Sequence, residues 1–471
     1  MSELHDLSAL EQAAAIRSGE TSSTELVEHY AQRIGKLDGE VGAFVTLTLD
    51  AAREQAAAAD RAVHAKEELP PLHGVPIAIK DLNLTEGVPT KLGSKAFEDF
   101  VPPFSDYVVD KLRAAGTISL GKTNTPEFGL PCYSETEVAP PARTPWDLTR
   151  SAGGSSGGAA AATAAGLVPF AQGSDGGGSV RIPSSVCGLF GIKVSRGRIS
   201  RGPLQGDVTG LSWDGPLART VRDAAAMLDA MAGPMPGDPH WAPPPAQPFL
   251  SYADQAPGRL RIGRSRDPKV PGAVVHPHVI EAYDAASELL ESLGHEVVDI
   301  TAPYDAEQLL PPFKVLWSTS ASGVPVPPDR EELLLPLTRY LRDMGNAMTA
   351  NDFTGAMATL QAATRNGIAA TAEYDVLLTP TVALPPVPIG YFRESGDPAE
   401  EFDRMTQFTP WTAVFNMTGQ PAVNVPLHWS PDGLPIGVML VGRPADEATL
   451  ISLSAQLEEA RPWRDRHPAL W

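Results

Sequence analysis

Two glycine-serine clusters, Gly153-Gly154-Ser155-Ser156-Gly157-Gly158 and Gly173-Ser174-Asp175-Gly176-Gly177-Gly178-Ser179, flank an alanine-rich stretch. Glycines beside a hydroxyl let the main chain adopt positive φ and approach a ligand closely, so each serine can be presented among bare N–H groups. Such a turn suits an oxyanion. A serine nucleophile also needs a base, and Lys80 is the candidate. The run Gly74–Asp81 reads as a strand whose alternation sets Val75, Ile77, Ile79 and Asp81 on one face and Pro76, Ala78 and Lys80 on the other. A lysine among small apolar neighbours loses proton affinity, because desolvation penalises its charged form, and it can then act as a base near neutral pH.

Two other readings account for parts of this pattern. Glycine-serine tracts are often flexible linkers. Between these two clusters, however, Ala159–Ala165 is a strong helix former stopped by Gly166, and Leu167–Ala171 reads as a short buried strand. A linker does not alternate loop, helix, strand and loop. The second reading is a nucleophile elbow, since Gly153–Gly157 satisfies G-x-S-x-G. An elbow needs an apolar strand before it, and Thr144–Ala152 is no strand; the partner histidines would be His428 or His467.

Lys80, Ser155 and Ser179, with the glycine clusters and the following Arg181–Lys193, resemble the amidase signature family. Gly121-Lys122-Thr123-Asn124, Thr136-Glu137 and Pro145-Trp146-Asp147 are similar to its upstream landmarks, and Phe415–Ala422 and Gly433–Val438 to its C-terminal strands. The resemblance implies a triad of Ser179 as nucleophile, Ser155 behind a cis peptide bond as proton relay, and Lys80 as base. It also implies an oxyanion site at the amides of Gly176, Gly177, Gly178 and Ser179, aided by the helix that follows. Where most relatives carry threonine, this chain has Ser174 and Gly176, which implies a looser loop. Asp175 is expected to be structural, with Arg181 as its partner, because a carboxylate buried between glycines needs a fork of donors.

The elements that must position these residues begin with helices over 1–66, where Ser22–Glu25 has capping-box spacing and Leu26, Tyr30 and Ile34 share a stripe. Strands then alternate with helices: a helix over Ser105–Ala115, a strand at Thr117–Leu120, a helix over Thr220–Ala232, a proline-rich surface crossing over Gly233–Gly258, a strand at Leu260–Gly263, a helix over Val279–Leu293 and a strand at Glu296–Ile300. A helical stretch near Leu333–Met344, strands at Val376–Leu378, Ala422–Leu427 and Ile436–Val441, and a helix over Asp446–Ala460 complete it. This order predicts an α/β fold. The resemblance implies one large domain over 1–471, a mixed sheet covered by helices on both faces, with its signature core over 67–235. The region 301–410, weak in family motifs, is expected to line the substrate pocket. Phe128, Tyr133, Trp317, Phe408, Trp411 and Phe415 are the aromatics expected near the site.

A net charge of −20 disfavours nucleic acid and anionic membranes as partners. The polar, acidic Met1–Asp6 is no signal peptide and no apolar run reaches a membrane span, so a cytoplasmic enzyme, monomeric or homodimeric, is expected. The two cysteines, Cys132 and Cys187, form no disulfide framework, and His276-Pro277-His278 lacks a third ligand, so neither metal nor cofactor is expected. The expected substrate is a small, neutral, largely apolar aryl or alkyl amide, with an ester or carbamate as the alternative. The amidotransferase component that acts on glutamyl-tRNA shares the signature, but it usually has Asp-Gln before a Gly-Pro where this chain has Trp213-Asp214 before Gly215-Pro216.

Overall fold

The computed structural model describes residues 3–204 and 208–471. Its strands, in chain order, are β1 (Phe44–Leu47), β2 (Pro76–Lys80), β3 (Ile118–Thr123), β4 (Phe170–Asp175), β5 (Phe190–Lys193), β6 (Trp213–Ala218), β7 (Arg261–Arg264), β8 (Glu296–Asp299), β9 (Val376–Pro380), β10 (Ala422–Trp429) and β11 (Pro435–Gly442). They form one mixed sheet in the order β1-β3-β2-β4-β6-β5-β10-β11-β9-β7-β8. β2 runs parallel to both β3 and β4, and β7 is parallel to β8 and β9, while the strands between are antiparallel. Every residue of β2, β4, β5 and β6 is buried, as expected of central strands covered on both sides.

Helices pack along this sheet, with Gly157–Ala164 against β4 and β2, Val221–Met231 against β6, and Pro277–Ser292 against β9 to β11. Local sequence explains several of their ends. Ser22 caps the helix Ser23–Val41 by accepting from the Glu25 amide at 3.1 Å, and Glu25 returns the bond to the Ser22 amide at 2.8 Å. Leu26, Tyr30 and Ile34 are buried along its stripe. The helix Gly157–Ala164 is buried on every side, which its run of glycine and alanine permits.

Some expectations shift. The N-terminal 66 residues are not purely helical, because β1 lies between two helices and adds to the sheet edge beside β3. β4 begins three residues later than expected and runs into the second glycine cluster, so Gly173, Ser174 and Asp175 are sheet and not loop. β5 and β6 are strands that the sequence pattern does not announce. The helix expected from Ser105 starts at Tyr107. Among the described residues, no helix is long and apolar enough to cross a membrane.

Candidate active site

Lys80 is the last residue of β2 and is fully buried. Its Nζ lies 2.8 Å from Ser155 Oγ, 2.9 Å from Ser156 Oγ, 3.0 Å from Ser174 Oγ and 3.3 Å from the Ser174 carbonyl. Four oxygens surround a group that has three protons when charged and two when neutral, and the neutral amine can use its lone pair to accept from a hydroxyl. Among the described residues no carboxylate forms an ion pair with it. Burial lowers its pKa to about 7, against the opposing attraction of Asp175 and Asp214. The Lys80 amide donates to Gln172 Oε1 at 2.9 Å, and Gln172 in turn donates to Asp214 at 2.8 Å, which fixes the strand end that carries the amine.

The two glycine-serine segments meet directly: the Ser156 amide donates to the Ser179 carbonyl at 3.1 Å. The segments are buried nearly throughout, which excludes the linker reading. The Gly154–Ser155 peptide is cis. Gly154 sits against the backbone of Tyr133, where a Cβ would come within 2.6 Å of the Tyr133 nitrogen.

Asp175 organises the second turn. Its carboxylate accepts from the amides of Gly178 at 2.8 Å and Val180 at 3.1 Å, from Arg181 Nη2 and Nε at 2.8 and 3.0 Å, and from Asn416 Nδ2 at 2.9 Å. Desolvation alone would raise this carboxyl, but Arg181 and Asn416 outweigh it and hold the pKa well below the ordinary carboxylate range. The expected Arg181 partner is therefore present. One expected oxyanion donor is already engaged, since the Gly178 amide points at Asp175. The amides of Gly176, Gly177 and Ser179 are the remaining candidates of that set.

Ser179 and Gly177 open onto a cavity of about 670 Å³, counting its solvent-open part. Lys80 and Ser155 do not line it. Its walls are Leu130 and Cys132 on one side, Leu309, Phe313 and Trp317 from the helix Ala306–Ser322, Phe402 and Met405 from the helix Pro398–Phe408, and Val414 and Met417 from the helix Thr412–Thr418. Among the described residues that line it, none is charged. The region 301–410 thus contributes much of the wall.

Of the expected aromatics, Trp317 lines this cavity and the others pack elsewhere. Phe128 meets Phe97 edge-on, and Tyr133 stacks on Phe392 at 4.9 Å and hydrogen-bonds Glu401. Trp411 Nε1 donates to the Asp267 carbonyl, Phe415 packs edge-on against Tyr304, and Phe408 against Phe392. The aromatics that line the cavity beside Trp317 are Phe313 and Phe402, which are not among those expected. Ser156, Ser174 and Asn416 are ligands of Lys80 and Asp175 that sequence reasoning misses; the paired Ser155-Ser156 is the one local signal for a second hydroxyl.

The histidines of the elbow reading have other surroundings. His467 stacks on Trp471 with ring centres 4.2 Å apart, and His428 lies in β10 opposite Ile436. Cys187 is buried, and desolvation raises its thiol to about 12. His278 is 3.0 Å from Glu281, with the His276 ring 5.0 Å away. A grouping hidden by sequence separation, Glu3, His5 and His29, brings its ligand atoms within 4.8 Å of one another; burial, then Arg33, lowers His5 to about 4.

The sequence profile of the amidase family matches residues 25–451, and the chain belongs to the amidase signature family of amide-bond hydrolases. It is 36% identical over 484 residues to the acylamidase of Rhodococcus erythropolis, covering 99% of this chain and 98% of that one. It is 34% identical over 491 residues to a glutamyl-tRNA(Gln) amidotransferase component from Thioalkalivibrio sulfidiphilus, covering 99% of each. The solved structure of 6-aminohexanoate cyclic dimer hydrolase complexed with substrate superposes with a TM-score of 0.91 at 32% identity, over 99% of this chain and 100% of that one.

Proposed function

We propose that this amidase hydrolyses small, neutral, largely apolar amides through an acyl-enzyme on Ser179, with Ser155 as proton relay and Lys80 as base. The observation that carries this reading is the 2.8 Å contact between a fully buried Lys80 Nζ and Ser155 Oγ, beside a turn whose Ser179 opens onto an apolar cavity. Ser179 Oγ attacks the amide carbonyl carbon; its proton moves to Ser155 Oγ as the Ser155 proton moves to neutral Lys80. The oxyanion is met by amides among Gly176, Gly177 and Ser179. Losing one such donor typically costs about a hundredfold in turnover. On collapse the C–N bond breaks and the leaving amine takes a proton from Ser155, which Lys80 replenishes. Water, deprotonated along the same relay, then attacks the acyl carbon, releases the acid and restores Ser179.

Glutamine, as substrate of an amidotransferase, fits less well, since its ammonium and carboxylate would enter a cavity whose described lining residues carry no charge. The deciding experiment combines Ser179→Ala with a fluorophosphonate probe and a panel of anilides, aliphatic amides, carbamates and free glutamine. Wild type should carry the adduct on Ser179 and turn over neutral amides, and the variant should lose both, with turnover falling by at least about 10⁴-fold. An adduct on Ser155, or glutamine as the one amide consumed, would overturn the reading.

A further inference from the structure

The oxyanion turn and the aromatic wall of the cavity touch. Phe313 and Trp317 are one helical turn apart on Ala306–Ser322, and their rings stack with centres 5.2 Å apart and planes at 23°. Each ring rests over one glycine of the catalytic turn. A Cβ on Gly176 would come within 3.1 Å of Trp317 Cη2 and 3.2 Å of Cζ3, and one on Gly177 within 3.6 Å of Phe313 Cζ. At its other edge the indole is tethered, with Nε1 donating to the Leu130 carbonyl at 3.3 Å. Trp317 is thus held at both edges as a fixed plate, with no side chain at Gly176 to push it from the turn.

We propose that Trp317 is the specificity-determining residue of this site and that the group it selects is a neutral aryl ring attached to the scissile amide. This inference rests on the hydrolase reading above. Three features support it. Among the described residues, the wall offers no charged side chain, so an ionised ring substituent would meet no partner there. A plate fixed before binding loses little freedom when a ring stacks on it, whereas a flexible chain gains area alone and must be ordered. Stacked rings gain up to about tenfold in affinity beyond what their area supplies. The ring can belong to the acyl half or to the leaving amine, and both place it beside the Gly176-Gly177 turn.

The test uses two matched pairs, benzamide with heptanamide for the acyl side and acetanilide with N-hexylacetamide for the amine side. Trp317→Leu keeps an apolar side chain but removes the flat face, and its folding is checked by circular dichroism. The expected result is a loss of about thirtyfold in kcat/KM for the aryl member of one pair, against less than about fivefold for its alkyl partner. The pair that responds tells which side of the bond the ring occupies. Equal losses within both pairs, or no loss in either, would overturn the inference. Calorimetric binding of benzamide and acetanilide to Ser179→Ala, with and without Trp317→Leu, separates the two layers. Trp317-dependent ring binding without turnover of any of the four amides by wild type would overturn the reading of small neutral amides as substrates and keep Trp317 as a ring-binding residue. Turnover indifferent to Trp317 would do the reverse.

Discussion

Asp175 and Arg181 face each other as a two-pronged ion pair with neither side chain exposed to solvent. The same carboxylate holds the amides of Gly178 and Val180, so the charge pair and the shape of the turn around Ser179 are one structure. Asp175→Ala should therefore act on stability and turnover together. Among the described residues, it leaves the buried guanidinium with the Thr412 carbonyl, Asn416 and Met439 as partners. Removing one member of a buried pair costs about 3–5 kcal/mol. Urea denaturation should register a loss of that order, and amide turnover should fall by about a hundredfold or more. A variant of wild-type stability would mean that the pair does not hold the turn.

On the proposed mechanism Lys80 sets the pH dependence. With its folded pKa lowered to about 7 by burial, amide turnover should rise with pH through about 7 as the amine loses its proton. Lys80→Ala should remove that limb along with most amide turnover, and ester turnover should suffer less because an alkoxide leaves with less help from a returned proton. For stability the sign follows from the proton count. Between about 7 and the ordinary lysine value near ~10.4 the unfolded chain binds the proton and the folded chain does not, so the Lys80 contribution to stability grows as pH rises across that window. An unchanged rate profile in Lys80→Ala would defeat its role as base.

The histidine variants test the serine-histidine alternative. His467 is committed to a stack on Trp471, and His428 pairs across β10 and β11 with Ile436. His467→Ala and His428→Ala should each keep turnover within about threefold of wild type, with any change appearing as lowered thermal stability. Loss of turnover by about a hundredfold in a folded variant would restore the elbow reading.

The parts of the site that could be read from the sequence are those that local chemistry dictates. A lysine at the end of an apolar strand and serines among glycines advertise themselves, and a carboxylate between glycines demands a fork of donors that Arg181, six residues on, supplies. The cavity wall is far less legible. Pro311 and Pro312 sit inside the helix Ala306–Ser322 and break its sequence signature, so Phe313 and Trp317 do not read as an i, i+4 pair on one face. Tyr133 lies close in sequence to one family landmark and Phe415 opens another, yet they pack on Phe392 and Tyr304 and neither lines the cavity. The shift of β4 has a related cause: its glycine and serine residues have low strand propensity, and pairing with β6 along all six positions overrides it.

Gly154 should be among the least replaceable residues outside the proposed triad, and the reason is steric. A Cβ there would lie 2.6 Å from the Tyr133 nitrogen, 2.7 Å from its carbonyl carbon and 2.8 Å from its Cα, all backbone atoms without a rotamer to yield. Tyr133 is itself held by its stack on Phe392 and its bond to Glu401. Strain from Gly154→Ala must therefore pass to the neighbouring Ser155, whose hydroxyl meets Lys80 at 2.8 Å. Overpacking of this kind typically costs about 1–3 kcal/mol, and a displacement of about 1 Å in a reacting group costs about a hundredfold in rate. Gly154→Ala should show both losses, read by urea denaturation and by amide turnover. Gly177→Ala is the control for stability, because its Cβ would meet Phe313 at an ordinary 3.6 Å, and its denaturation midpoint should stay close to wild type. If the Gly154 variant matched wild type in both assays, the close approach of the two backbones would not be what holds Ser155 on Lys80.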